Sequence, residues 1–274
     1  MPANPLKDQS ITALRSASRL KAAQSPRGLA LSAGMGAIIL FSLNVAHAAF
    51  HLWSVDEVYS SADGSVQFIE LSTASNLENS LLGHVISCTG PQGTHSFTFP
   101  ANLSSSSTAG KTFLIGTTNL AVVPGGVAPD YVLTNSVPFL FSGGGTITVG
   151  ISGSFMPAAS YTSLPTDGDS SLNGSASSLV AAVNSPKNFN NQSNTIVPVK
   201  FVSSAKVDTN FVMTFHTATG VNGSAGPNYT VEYKNLPSDS SWTPLPAVIG
   251  DGTTKSISNS IASSPQRFFR LRAP

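Results

Sequence analysis

From residue 50 onwards, short apolar runs alternate with clusters of turn-forming residues. The runs are rich in Val, Ile, Phe and Tyr, and each is bounded by Gly, Pro, Ser or Asn. Runs that recur about every 10–15 residues between such turns predict a sandwich or barrel of β-strands. The predicted strands are 52–59, 66–73, 83–89, 95–99, 112–117, 131–134 and 146–151, followed by 200–203, 211–217, 229–233, 242–243, 255–258 and 267–272.

The first two strands are expected to form a hairpin. Asp63-Gly64 lies between them, and Asp-Gly between β-rich runs is a strong local turn signal. In the second strand, side chains of alternate residues point to opposite faces of the sheet. We therefore place Ile69 and Leu71 in the core, and Phe68 on the outer face or against a neighbouring loop.

Helical patterning is weak along the whole chain. No segment repeats apolar residues with a period of 3.6 over three turns. If the chain contains a short helix, its best place is within 164–182. The Asn- and Ser-rich segment 184–194 predicts the exit from a first domain. We expect an all-β protein with domains at 49–192 and 200–274, joined by a linker at 193–199.

The N-terminal segment 1–48 has the pattern of an export signal. A basic region precedes the uncharged apolar run 28–46, and Ala46-His47-Ala48 is the small-x-small pattern of a cleavage site. We expect cleavage after Ala48 and a location outside the cell or at its surface. The alternative is a retained membrane anchor, since an apolar run of about 19 residues is just long enough to span a bilayer.

The net charge of the chain without its leader limits the classes of molecule that it is expected to bind. The leader holds five of the 14 basic residues and one of the 13 acidic ones, which leaves nine basic and 12 acidic residues, or about −3. A sparse, mildly acidic chain lacks the basic stripe that nucleic-acid binding requires. We therefore expect no nucleic-acid partner, and no membrane span once the leader is removed.

The single cysteine and the histidines form no predicted catalytic set. Cys88 has no partner for an internal disulfide, and we interpret it as a small buried hydrophobe in its strand. His84 lies four residues earlier on the same face, about 13 Å away and too far for a hydrogen bond. His84 and His95 flank the turn 90–93 and are candidate cross-strand neighbours. We favour solvated strand residues over a metal pair, because no carboxylate in the loop supplies a third ligand.

Two groups of acidic residues are the remaining candidates for chemistry. Asp167, Asp169 and Asn173 offer clustered oxygen ligands of the kind that calcium prefers, but the full calcium-loop pattern is absent and a plain turn is favoured. Glu57 and Glu70 lie on adjacent predicted strands, and paired carboxylates can serve as acid and base in glycoside hydrolysis. We favour two capping carboxylates on a solvated face.

No nucleophile, metalloprotease or phosphate-loop pattern occurs in its required context. The sequence thus predicts no catalytic residue and no cofactor, with Asp167, Asp169 and Asn173 as weak metal candidates only. A sugar-binding platform of aromatic residues is an open alternative, although core filling explains them more simply. These aromatic residues are Trp53, Tyr59, Phe68, Tyr131, Phe139, Phe141 and Phe155.

Residues 50–192 resemble a known family. VDEV at 55–58, VQFIEL at 66–71, LLGHVI at 81–86, FTF at 97–99 and TFLI at 112–115 are similar to the opening strands of the lamin-tail-like domain of secreted bacterial proteins. The resemblance implies an immunoglobulin-like β-sandwich that acts as a non-catalytic accessory module. His84 departs from the family, which more often has Trp there.

The C-terminal part resembles a different module. YTVEY at 229–233, WTPL at 242–245 and RFFRLR at 267–272 are similar to short fibronectin-III or immunoglobulin-like segments of exported bacterial proteins. This resemblance implies that Trp242 is a core aromatic residue and that the last strand closes the sheet.

Together these observations predict an exported protein of two immunoglobulin-like β-sandwich domains after a signal peptide. We expect a non-catalytic interaction or structural role, with a polysaccharide or an envelope protein as the partner. The alternatives are a calcium-dependent carbohydrate-binding protein and a secreted hydrolase.

Overall fold

The protein is all-β in a computed structural model, which describes residues 50–134, 138–150, 156–175, 178–263 and 266–273. Within those residues the only helical elements are two short 3-10 turns, Thr118–Ala121 and Val221–Gly223. No helix in the described part is long and apolar enough to cross a membrane. The predicted leader, with its cleavage site, lies outside the described residues.

Two sheets are built from the first part of the chain. The larger has six strands, antiparallel except for its last pair, and the smaller has four antiparallel strands. In spatial order the larger sheet is β10 (Ser178–Val183), β9 (Ser170–Ser175), β1 (Ser54–Ser60), β2 (Gln67–Thr73), β5 (Lys111–Thr117) and β6 (Tyr131–Leu133), and the smaller is β4 (Gly93–Thr98), β3 (Val85–Gly90), β7 (Gly145–Gly150) and β8 (Ala159–Tyr161).

The two sheets enclose one apolar core. Ile69 and Leu71 of β2 and Ile86 of β3 belong to a single cluster of buried side chains, as predicted for the first two. Trp53 adds an edge-to-face contact with Phe113, with ring centroids 4.6 Å apart. Burial of one face from each sheet against the other makes this part of the chain a β-sandwich.

A second, smaller core covers the outer face of the six-stranded sheet. Phe68 is fully buried there and stacks on Tyr59. Leu120, Val127 and Ile196 close over them from the connecting segments. The prediction that Phe68 faces outwards against a neighbouring loop is therefore confirmed, and this sheet is covered on both sides.

The predicted hairpin between β1 and β2 is present. Gly64 has φ = 72°, a left-handed conformation that glycine adopts without strain, and the N–H of Gly64 donates to the carbonyl oxygen of Ser61. A Cβ at Gly64 would lie 2.7 Å from Cβ of Pro138. Both the turn conformation and the close neighbour require glycine at this position.

The segment 164–182, where the sequence disfavours a short helix least, contains strands and no helix among its described residues. This segment forms the hairpin of β9 and β10, and β9 pairs with β1 through Val58 and Leu172. Gly174 has φ = 133°, and a Cβ there would lie 2.2 Å from the carbonyl oxygen of Ser178. Pairing with a strand distant in sequence decides this segment, because local propensity alone is weak.

The last part of the chain carries two further sheets around its own core. Met213, Phe215, Tyr229 and Val231 are buried together there. One sheet is β11 (Phe201–Val207), β12 (Asn210–His216) and β16 (Thr254–Ser260), and the other is centred on β13 (Asn228–Lys234), which pairs with β14 (Thr243–Pro244), β15 (Val248–Ile249) and β17 (Phe268–Arg272).

The segment between these parts, 193–199, is fastened by hydrogen bonds. The Asn184 side chain accepts from the N–H of Ile196 and donates to its carbonyl oxygen. The Asn194 side chain donates to the carbonyl oxygen of Thr219 and accepts from the Thr219 hydroxyl. Asparagine side chains thus hold this predicted linker to the parts on either side of it.

Candidate functional site

Of the predicted metal ligands, Asp167 and Asp169 lie in the turn directly before β9, and Asn173 lies within β9. Oδ1 of Asp167 accepts hydrogen bonds from the N–H groups of Asp169 and Ser170, at 2.9 and 2.8 Å. Asn173 lies further along β9 and donates to the Ser171 hydroxyl. Among the described residues, no three His, Cys, Asp or Glu side chains are grouped to hold a metal ion.

An ammonium group lies beside this turn. Nζ of Lys200 is 2.9 Å from Oδ2 of Asp169 and 2.9 Å from the carbonyl oxygen of Asp167. Partial burial tends to raise the pKa of Asp167, but hydrogen bonds from Ser170 outweigh it and hold the pKa below its usual value. The geometry is that of a capped turn with its own cation.

Glu57 and Glu70 do meet, but not on a solvated face. A β-bulge at Asp56 shifts the register of β1, so that Glu57 lies directly opposite Glu70 on β2. Glu57 is 2% exposed and Glu70 is 5% exposed. The interpretation of these residues as solvated is wrong, because the segment 184–192 crosses over the polar half of this sheet face.

Each of these carboxyl groups holds the covering segment. Oε1 of Glu57 accepts from the Ser185 N–H at 2.8 Å, and Oε2 accepts from the Ser185 hydroxyl at 2.9 Å. Oε2 of Glu70 accepts from the Lys187 N–H at 2.6 Å. Oδ2 of Asp130 continues the row by accepting from the Phe189 N–H at 2.9 Å.

We call this arrangement the carboxylate clasp: Glu57, Glu70 and Asp130, which bind the N–H groups of residues 185, 187 and 189. Alternate N–H groups of an extended segment point the same way, so one row of acceptors can hold every second residue. Asp130 was not predicted by sequence reasoning. The one sequence feature that could have indicated Asp130 is its position directly before the strand β6.

Burial controls the protonation of the clasp. It raises the pKa of Glu57 and of Asp130, against the opposing effect of their hydrogen-bond donors. Burial, reinforced by the nearby charge of Glu57, raises the pKa of Glu70 to about 8 in spite of the Lys187 N–H. Glu70 is therefore mainly protonated at neutral pH.

Glu57 and Glu70 are a pair of carboxyl groups of the kind that acid–base catalysis uses. In this conformation, however, the covering segment keeps a substrate away from both of them. A general acid or base must reach a proton on its substrate. The oxygens of Glu57 and Glu70 instead face donors of the covering segment, and both side chains are almost fully buried. What the arrangement does in this conformation is to fasten one segment of chain to the sheet.

The histidines do not pair across the turn at 90–93. The register places Cys88, not His84, opposite His95, so the expected neighbourhood of the two histidines is wrong. Nδ1 of His95 is 3.0 Å from the carbonyl oxygen of Phe139, and its ring stacks on Phe141. The His84 ring packs 5.0 Å from that of Phe50, and burial lowers its pKa.

Cys88 is buried in the sandwich core, as predicted. Its Sγ lies 3.5 Å from the hydroxyl of Tyr161, and burial raises the pKa of the thiol. A raised pKa lowers the fraction of reactive thiolate. The position is thus that of a core side chain.

Among the described residues, the aromatic side chains considered for a sugar-binding platform fill the core instead, which was the favoured interpretation. Phe155 lies outside the described residues, and the other members are buried: Trp53, Tyr59, Phe68, Tyr131, Phe139 and Phe141. The resemblance made Trp242 a core residue as well, and this expectation is wrong. Trp242 is only partly buried and lies beneath the cations of Lys234 and Arg270 on the outer face of its sheet.

One apolar groove lies near the β1–β2 turn. It has a volume of about 430 Å³, and Val66, Val123 and Ile196 are among its lining residues. Asp63 and Asp167 also line it. Burial, followed by the charges of Asp167, Asp169 and Asp63, raises the pKa of Tyr59 in this groove to about 12.

A comparison with models of protein families finds none that matches this chain, and a comparison with curated proteins finds no match either.

Proposed function

We propose that this is an exported, non-catalytic protein with an interaction or structural role at the cell surface or outside the cell. The proposal includes removal of the leader after Ala48. It also includes a lamin-tail-like module at 49–192 and a fibronectin-III or immunoglobulin-like module at 200–274. Its partner is a polysaccharide or a protein of the envelope.

The carboxylate clasp carries the non-catalytic part of the proposal. Glu57 and Glu70 are the residues with the best prospect of acid–base chemistry, and both bind N–H groups of the segment above them. Residues 185–189 would have to leave before a substrate reached either carboxyl group. Groups that hold the fold together in this way support a binding or structural role.

The leader supports export. Its basic region, apolar run and Ala46-His47-Ala48 have the order of a secretory signal. The abundance of Ser, Thr, Asn and Gly over charged residues, which make up 10% of the chain, suits an extracellular β protein. N-terminal sequencing of the exported protein should begin at Ala49, and a start at or before residue 28 would favour the retained anchor.

Activity is tested on the exported protein with a broad panel of glycosides and esters. We expect no turnover. Turnover that is lost in Glu57→Gln, while that variant remains fully folded at the assay temperature, would support the hydrolase alternative. Glutamine keeps the shape and one acceptor oxygen of Glu57, so it separates chemistry from folding.

A further inference from the structure

Four of the nine basic residues after the leader lie on or beside one small sheet. All three arginines of this part of the chain lie within 267–272, on or beside β17, and Lys234 lies at the end of β13. In the register of these strands, Arg270 is opposite Glu232 and Arg272 is opposite Thr230.

Alternation decides which of these side chains face outwards. Val231 is fully buried and Leu271 packs against the same core, so the neighbours Glu232, Arg270 and Arg272 lie on the opposite, outer face. Arg270 and Arg272 are two residues apart, about 7 Å along the strand. Their side chains are 42% and 62% exposed.

Trp242 adds an aromatic surface to the same face. The Arg270 guanidinium lies 4.4 Å from the centroid of the indole ring, and Nζ of Lys234 lies 5.1 Å from it. Cations over an indole ring are attracted by its π-electrons. We call this surface the cationic face: Lys234, Trp242, Arg270 and Arg272, with Glu232 between them.

The cations of this face outnumber its carboxylates. Glu232 binds both Arg270 and Arg272, at 2.6 and 3.1 Å. Nζ of Lys234 donates to the carbonyl oxygen of Asp239, whose carboxylate accepts the N–H groups of residues 235 and 236. With Asp239 counted, three cations face two carboxylates, and each arginine shares one acid while keeping further N–H donors.

A small cavity opens on this face beside Arg272. It has a volume of about 230 Å³ and is lined by Asn228, Thr230, Glu232, Arg272 and Ala273. Arginine matches a carboxylate in geometry and charge, while amide, hydroxyl and carboxylate side chains suit the hydroxyl groups of a sugar. One cavity thus combines the donors and acceptors that an acidic sugar requires.

We propose that the cationic face binds an acidic polysaccharide, with the carboxylate of a sugar residue on Arg272 and its hydroxyl groups against Asn228, Thr230 and Glu232. This inference rests on the proposed role as an interaction protein and names its site and ligand class. Arg270 engages the next charge along the polymer. Asn228 and Glu232 distinguish this ligand from a bare phosphate, because they offer partners for hydroxyl groups.

The test uses the exported protein with polygalacturonate as the acidic polymer and dextran as the neutral one. We expect retardation in affinity electrophoresis by polygalacturonate only, weakening as salt is added. Arg272→Gln should weaken binding by about tenfold or more, since a hydrogen bond between charged groups contributes that much. Asn228→Ala should weaken it by about threefold or more, as expected for loss of an uncharged hydrogen bond.

Lys206→Gln is the matched control, since it removes one exposed charge from β11 and should leave binding unchanged. Arg272 is exposed, so Arg272→Gln should unfold at the same temperature as the original protein. Equal binding by Arg272→Gln and the original protein would overturn the proposed site. Retardation by duplex DNA or by phosphatidylserine vesicles, without binding to polygalacturonate, would overturn the ligand class.

Two outcomes separate this inference from the proposed function. Polygalacturonate that is bound through Arg272 and also degraded would support the site and contradict the non-catalytic role. No binding and no degradation of polygalacturonate would overturn the site inference alone.

Discussion

Glu57 and Glu70 lie directly opposite each other on β1 and β2, and both carboxyl groups are buried beneath the segment they hold. Burial raises the pKa of Glu70, and the nearby charge of Glu57 raises it further, so Glu70 retains its proton at neutral pH. This pair links stability to pH at a point far from the cationic face in sequence.

The protein should lose stability as pH rises through the titration of Glu70. Its pKa is about 8 in the folded state against 4.5 as the ordinary value, so the folded state binds the proton more tightly. The stabilising effect is complete below about pH 4.5 and is lost by about pH 8. In Glu70→Gln the loss over this pH range should be smaller, with a gain of roughly 2–4 kcal/mol relative to the original protein at pH 9 by urea unfolding.

Asp208→Asn is the control for that measurement. Asp208 is exposed in the turn between β11 and β12 with φ = 53°, where asparagine is equally tolerated. It should leave the pH dependence unchanged. A pH profile of Glu70→Gln that matches the original protein would contradict the protonated state of Glu70.

Glu57→Ala should destabilise the protein by about 2–4 kcal/mol, because it leaves the Ser185 N–H without its acceptor and creates a cavity. Glu57→Gln should cost about 1 kcal/mol or less, since the amide oxygen still accepts that N–H. Amide hydrogen exchange at residue 185 should rise in the alanine variant only. Unchanged exchange there would mean that Glu57 does not hold the segment.

Calcium should not stabilise the Asp167 turn. The Lys200 ammonium lies 2.9 Å from Asp169, so binding of calcium would require it to move. We expect the same unfolding temperature in millimolar calcium and in chelator. A rise with calcium that disappears in Asp167→Ala combined with Asp169→Ala would favour the calcium-dependent alternative.

The stability of the β-sandwich should depend on Gln67, although its side chain is polar. Its Oε1 accepts from the N–H groups of Phe139 and Leu140, and its Nε2 donates to the carbonyl oxygen of Leu140. Gln67→Leu should cost about 2–4 kcal/mol, because it leaves two buried N–H groups unpaired. Val132→Thr, at an exposed position on β6, is the control and should change stability by less than about 0.5 kcal/mol. A loss below about 1 kcal/mol for Gln67→Leu would contradict this role.

Local pattern was sufficient for most of the strands. Alternation placed Ile69 and Leu71 in the core, and Asp63-Gly64 marked the first hairpin, because both effects act over a few neighbouring residues. The strands of the last 75 residues were also predicted to within a few positions, apart from the short β15. These features need no knowledge of what packs against the strand.

Tertiary structure decided the β9–β10 hairpin, the burial of the clasp and the position of Trp242. Each depends on a partner distant in sequence: β1 for β9, the segment 184–192 for Glu57 and Glu70, and β17 for Trp242. Whether a polar side chain meets water or a buried N–H group is set by that partner. The residues themselves therefore define the strands and the available charges, while the long-range pairing of the chain determines which charges are buried and which are exposed.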